Sequence, residues 1–218
     1  MISPPRLDAL FHHGRRHRWP EGAESRLDVV QVADLNLTTG MVVTRDPADA
    51  ALGALDTEAF TTSVAPGQYA VTLSLARWPC GPPDDAARGA AVMVSIRDEP
   101  VQEWELALLA DQDPSTLGDE EFFGFCVDSR SGCVLDVAAL PFLRELQASS
   151  ADMDIAEEVL RNNYAVATDE STGMNIIFFD CGMEHGAYPT WIGRTAHGDV
   201  ACFVVDFELL DHAEPVDG

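Results

Sequence analysis

From Gln68 to Ala76, the apolar residues Tyr69, Val71, Leu73 and Leu75 alternate with Gln68, Ala70, Thr72 and Ser74. A period of two places those four side chains on one face of a strand, and Pro66-Gly67 supplies the turn that opens it. Ala90 to Ile96 alternates in the same way through Val92, Val94 and Ile96, so the two stretches are predicted to pair antiparallel. Between them, Cys80-Gly81-Pro82-Pro83-Asp84-Asp85 suits neither helix nor ladder and reads as an exposed loop. Val29–Leu37 and Met41–Thr44 flank Thr38-Thr39-Gly40 and predict a hairpin. The aromatic-rich run Phe122–Asp128, followed by Ser129-Arg130-Ser131-Gly132 and Cys133-Val134-Leu135, predicts a second. Within Val101–Leu109, Trp104, Leu106 and Leu108 alternate with Glu103 and Glu105, a strand pattern with helix as the alternative. Met174–Phe179, Tyr188–Gly193 and Val200–Phe207 complete the β signals, the last two joined by a tight turn at His197-Gly198-Asp199.

Helical signals are fewer. Asp136 is an N-cap candidate ahead of Leu140, Leu143 and Leu146, with Pro141 delaying or bending the start. Asp152 to Tyr164 places Ile155, Val159 and Leu160 on one stripe, and the alanine-rich stretch between Arg45 and Ala65 has room for one short helix. At least eight strands against two or three helices predict an α+β, mainly β fold of two packed antiparallel sheets. The expected organisation is a basic N-terminal arm at 1–26, a single β-rich domain at 27–210 and a polar tail at 211–218.

Charge sharpens this picture. The chain carries 37 acidic and 13 basic residues, a formal charge of −24, and such a surface repels phosphate backbones and anionic lipid. Neither nucleic acid nor membrane is an expected partner. The charge is uneven, because residues 1–26 hold five Arg against three acids, a net +2, and the remainder carries −26. The cluster His12-His13-Gly14-Arg15-Arg16-His17-Arg18 reads as a docking arm or as a solvated segment lying on its own acidic body. Every basic residue is arginine and there is no lysine, which excludes a Gly-Lys-Ser/Thr phosphate loop, Schiff-base chemistry and a lysine base.

The five cysteines (Cys80, Cys126, Cys133, Cys181, Cys202) are odd in number, lie in apolar surroundings and have no Cys-x-x-Cys spacing. They are expected to be reduced core residues. With no long apolar run and no signal-peptide pattern at Met1-Ile2-Ser3-Pro4-Pro5-Arg6, a cytoplasmic location is expected. The sequence also lacks Gly-x-Ser-x-Gly, His-Glu-x-x-His and Gly-x-Gly-x-x-Gly patterns, and no cofactor is implied.

Two segments carry candidate chemistry. Gly182-Met183-Glu184-His185-Gly186 is a glycine-framed loop between strands, and Glu184, His185 and Tyr188 are the candidate catalytic residues there. Asp180, Asp199 and Asp206 offer further oxygens, and Cys181 with His185 has the composition of a nucleophile pair, although acidic surroundings oppose a thiolate. The other segment is Asp111–Glu121, in which Asp111 and Asp113, together with Asp180 and Asp199, are the candidate metal ligands. It fails the EF-hand pattern, because Thr116 and Phe122 stand where glycine and glutamate are required. For both segments the competing reading is an ordinary solvated turn. The aromatic residues Phe122, Phe123, Phe125, Trp104 and Trp191 are expected in the core.

The run Asp180-Cys181-Gly182-Met183-Glu184-His185-Gly186-Ala187-Tyr188-Pro189-Thr190-Trp191-Ile192-Gly193, with Val204-Val205-Asp206-Phe207 after it, resembles a bacterial domain-of-unknown-function family numbered 4241. Pro66–Val71, Trp104–Ala107 and Phe122–Asp128 with Gly132-Cys133 are similar to that family's other landmarks, in the same order, over roughly residues 28–210. The resemblance implies no established activity. Where the family has a Gly-Asp-Gly element, this chain reads Glu184-His185-Gly186 and retains only Gly186, so a function resting on that aspartate would not transfer. Gly186 is accordingly expected to hold a backbone conformation that a Cβ would strain.

Two expectations follow for function. The leading one is a non-enzymatic interaction module, an inhibitor or immunity-type partner of a basic protein, since strong acidity steers association and no catalytic set is visible. The other is a hydrolase-like or cation-dependent enzyme at the 180–189 loop, which requires its side chains to converge on one pocket.

Overall fold

A computed structural model describes residues 7–50, 59–79, 87–119, 121–182 and 185–216. Thirteen strands and three α-helices are present among them. The strands are β1 (Arg16–Arg18), β2 (Glu24–Leu37), β3 (Val42–Arg45), β4 (Gly67–Arg77), β5 (Ala87–Ser95), β6 (Glu103–Leu106), β7 (Gly124–Val127), β8 (Ser131–Asp136), β9 (Tyr164–Thr168), β10 (Asn175–Asp180), β11 (Gly186–Arg194), β12 (Val200–Asp206) and β13 (Glu214–Val216). The helices are α1 (Leu7–Leu10), α2 (Leu140–Gln147) and α3 (Ala151–Asn162). A large antiparallel sheet runs β13-β1-β2-β4-β5-β12-β11-β6, with β7 added against β11, and a four-stranded sheet runs β3-β8-β10-β9. The fold is therefore the expected α+β, mainly β arrangement of two antiparallel sheets.

The alternation along each strand decides how the layers stack. Val71, Leu73, Val92, Val94, Phe203 and Val205 from the large sheet meet Val42, Val134, Ile177 and Phe179 from the small one in the main core. The opposite face of the small sheet, through Cys133, Leu135, Ile176 and Phe178, is covered by α2 and α3 with Leu140, Leu143 and Val159. The opposite face of the large sheet presents Ala91, Trp191, Cys202 and Val204 to Leu7 and Leu10 of α1. Both sheets thus need cover on both sides, which explains why β10 and β12 are buried at every position.

Both predicted hairpins are corrected by the pairing. β2 pairs with β4 and β3 pairs with β8, so Thr38-Thr39-Gly40 is a corner where the chain leaves one sheet for the other. Asp136 at the end of β8 fastens that corner, accepting from the backbone N–H of Thr39 at 2.9 Å and of Gly40 at 3.2 Å and from the Thr39 hydroxyl at 2.8 Å. It also caps the turn into α2 through the Ala138 N–H at 2.9 Å, as its N-cap reading predicted. Gly40 is obligatory there, since its φ is +77° and a Cβ would fall 1.9 Å from the Val64 carbonyl oxygen. In the second case β7 pairs with β11, whereas β8 pairs with β3 and β10. A turn-like sequence between two apolar runs marks a change of direction, and here both changes of direction are also changes of partner. The β4–β5 and β11–β12 pairings follow the sequence patterns.

Residues of the basic N-terminal segment are built into the body. β1 lies between β2 and β13, so the polar stretch after Asp211 returns as an edge strand. Arg16 and Arg18 both pair with Glu24 across the β1–β2 ladder, and the Ser74 hydroxyl donates to the Leu10 carbonyl at 2.5 Å. In the Arg45–Ala65 stretch, Pro47–Ala50 forms a short 3-10 turn, while residues 51–58, like the 80–85 loop, lie outside the described residues.

Candidate functional site

The strands on either side of the 180–186 loop point its polar residues in different directions. Asp180 ends β10 inside the protein, accepting from the N–H groups of Gly89 at 3.3 Å and Gly182 at 3.2 Å. Burial pushes its carboxyl upward, against the pull of those hydrogen bonds and of Arg88 and Arg130. Tyr188 belongs to the main core, with its ring 6.3 Å from Phe125 and 5.6 Å from Phe207, and burial raises its phenol to about 12. His185 stands in solvent, its Nδ1 3.9 Å from the exposed carboxylate of Asp128. Glu184 lies outside the described residues.

The remaining oxygen donors divide between core and surface: Asp206 is buried in β12, whereas Asp111, Asp113 and Asp199 are exposed. Asp113 caps the 3-10 turn at Pro114–Thr116 by accepting from the Ser115 N–H at 2.9 Å, and hydrogen bonding to Ser115 holds its carboxyl below the usual range. Asp111 is exposed beside it, and Asp199 pairs with Arg97 at 3.6 Å in the turn before β12. Among the described residues no three His, Cys, Asp or Glu side chains gather as a metal-binding group. Cys181, Cys133 and Cys202 are buried free thiols whose pKa burial raises. Cys126 departs from the core expectation and is exposed, because β7 turns its alternate side chains outward. Cys80 lies outside the described residues. Trp191 is buried as expected, while Trp104, Phe122, Phe123 and Phe125 are only partly covered.

The backbone strain expected at Gly186 sits instead at Gly182. Gly182 has a φ of +74° and its Cβ position lies 2.5 Å from the Gly89 carbonyl oxygen, whereas Gly186 has no positive φ. The reason is the tight return of the chain past β5 directly after Asp180, four residues before β11 begins.

The surface feature that the sequence pattern misassigned is on α3. Of the predicted single stripe Ile155, Val159 and Leu160, only Val159 is buried and Leu160 is 65% exposed. Met153, seven residues earlier on the same side, is 69% exposed, and Ala156 between them is exposed as well. Spacings of three, four and seven residues put these three side chains on one apolar stripe facing water. Exposed Glu157 borders it and is tied to Arg161 at 3.6 Å, while exposed Asp154 and Glu158 lie further round the helix. Helical periodicity identified two apolar faces on α3 as one, since a helix packed on a sheet buries only a single row.

No helix among the described residues is long and apolar enough to cross a membrane. Neither the curated proteins nor the solved structures compared with the chain yields a match. Over residues 35–205, from the end of β2 through β12, the sequence matches the family described as "Protein of unknown function (DUF4241)". That span contains both sheets' central strands, the corner at Gly40, the 180–186 loop and α3, and the chain belongs to this family.

Proposed function

We propose that the protein is a non-enzymatic binding module for a basic protein, an inhibitor or immunity-type partner, working in the cytoplasm through the exposed face of α3. The carrying observation is the pairing of Met153 and Leu160, both about two-thirds exposed, with the Glu157 carboxylate beside them and those of Asp154 and Glu158 further round the same helix. Large exposed apolar side chains flanked by charge are what an interface core and rim look like before the partner arrives. A partner that brings apolar residues framed by Arg or Lys would cover the stripe and satisfy its acidic border, and a chain charge of −24 would speed the encounter. Supporting a reducing compartment, the four described cysteines are all unbridged. The alternative of a hydrolase-like or cation-dependent enzyme at the 180–189 loop draws less support, because Asp180 and Tyr188 turn inward and His185 outward.

The parent and the double variant Met153→Asp/Leu160→Asp, immobilised side by side and exposed to native extract at physiological salt, separate docking from general acidity. The variant is more negative, so non-specific attraction of basic proteins would hold or grow. A basic protein retained by the parent and lost from the variant supports the proposal. Equal or stronger retention by the variant overturns it.

A further inference from the structure

On the outer face of the large sheet, away from α3, a cavity of about 250 Å³ opens between the end of α1, β1 and the chain after β12. Its walls include Leu10, Arg15, His17, Asp206, Leu210 and Asp211. His17 is 5% exposed and Asp206 is 2% exposed. Each has a buried polar atom with no hydrogen-bond partner among the described residues, Nδ1 of His17 and Oδ2 of Asp206. The other Asp206 oxygen, Oδ1, accepts from the Glu208 N–H at 2.9 Å, which fixes the carboxyl's orientation. Arg15 makes no salt bridge among the described residues although Asp211 lines the same space. Buried polar groups in folded proteins are almost always matched, and a cavity walled by two residues that each carry an unmatched buried atom, and by an arginine with no salt bridge among the described residues, has the makings of a ligand site.

We infer that this cavity binds a small aliphatic α-amino acid as its zwitterion, with the ligand carboxylate on Arg15 and its ammonium on Asp206 and His17. The charge pattern selects that class. A lone anion would meet Asp206 and Asp211, and a lone cation would meet Arg15, whereas a zwitterion answers both signs. Leu10 and Leu210 receive the aliphatic side chain, and the volume suits a molecule of that size rather than a peptide. Burial lowers the basicity of His17, with the charge of Arg15 adding to the effect, so its imidazole is neutral at pH 7 and able to accept an N–H. Burial also pushes the Asp206 carboxyl up to about 7, and a bound ammonium would draw it back towards the charged form.

The test is calorimetric titration of the full chain at pH 7.5 with L-alanine, L-valine and L-leucine, beside two leucine analogues, isopentylamine without the carboxylate and 4-methylpentanoate without the ammonium. Saturable binding of at least one amino acid is expected, with both analogues weaker by about tenfold or more. Arg15→Gln and Asp206→Asn should each weaken that amino acid by about tenfold or more, with unchanged circular dichroism confirming that both variants fold. Since Asp206→Asn removes a buried ionisable group without changing shape, and Arg15 lies at a partly exposed position, at least one variant reports on a folded protein. No saturable heat for any of the three amino acids up to about 10 mM overturns the inference, as does an analogue binding as tightly as its parent or an affinity that survives both substitutions.

Discussion

The hydroxyls of Thr44 and Thr190 meet at 2.9 Å, joining β3 of the small sheet to β11 of the large one across the gap between the two layers. Thr190 is buried at 2% exposure, and the pair lines a cleft of about 330 Å³ that also contains Arg45, Asp49, Phe60 and Cys126. The bond is one of several polar links between the sheets beside their apolar core, with the Gly89–Asp180 and Asn36–Asn175 contacts. Replacing either threonine by valine keeps the shape and strands the other hydroxyl, a cost of about 1–2 kcal/mol for Thr190→Val. Removing both should cost less than the sum of the single changes by about 0.5 kcal/mol or more. Denaturant melts of the four proteins measure that coupling, and strict additivity would show that the two hydroxyls do not interact.

Gly182 should matter more to the fold than Gly186. Gly182→Ala adds a Cβ at positive φ, 2.5 Å from a backbone oxygen that cannot swing away, and is expected to cost about 2 kcal/mol or more. At Gly186 the nearest atoms are on the Tyr188 ring at 3.3 Å, and the substitution should stay below about 1 kcal/mol. His185→Ala, on a solvated side chain, is expected within about 0.5 kcal/mol. Urea unfolding of the three variants ranks them, and a silent Gly182→Ala beside a costly Gly186→Ala would contradict the geometry.

Asp206 makes stability pH-dependent in a direction opposite to that of a salt-bridged carboxylate. Its folded value is raised from 3.8 to about 7, chiefly by burial. The folded chain therefore holds more protons than the unfolded chain between those values, and stability falls as pH rises from about 4 to about 7, then levels off. Three units correspond to at most about 4 kcal/mol. Asp206→Asn keeps a neutral side chain at every pH, so its stability relative to the parent should improve by about 2 kcal/mol or more between pH 4.5 and pH 8. Glu208 and Asp211, also raised by burial, remain in both proteins. Melts at the two pH values decide the matter, and a constant difference would mean that Asp206 titrates normally.

Thiol reactivity should separate Cys126 from Cys133, Cys181 and Cys202. The first is exposed and the others are buried with thiols pushed up, so in native protein Cys126→Ser should remove one fast-reacting equivalent towards a disulfide reagent. Denatured, unreduced parent protein should titrate five thiols. An unchanged fast phase in Cys126→Ser, or fewer thiols after denaturation, would count against the free and layered arrangement of the cysteines.

Local pattern carried a large part of this protein. Period two in Tyr69–Leu75 and Val92–Ile96, and the apolar run Val200–Phe207, marked strands that line the core, because a strand's two faces are set by neighbouring residues alone. Asp136 was legible as a helix cap for the same reason, and the apolar landmarks from Pro66 to Phe207 were enough to place the chain in its family. Which strands pair was decided elsewhere. Thr38-Thr39-Gly40 looks like a hairpin turn in sequence, and only the distant carboxylate of Asp136 and the closeness of Val64 make it a corner between sheets. Leu160 and Val159 are neighbouring apolar residues about 100° apart on α3, and the small sheet has room for one row and leaves the other in water. His17, Arg15 and Asp206 are separated by nearly the whole chain and share a cavity because β1 folds back beside β13. Faces and caps depend on residues a few positions apart, whereas pairing, exposure and cavities depend on contacts whose partners lie far along the chain, and these were settled only when the layers closed.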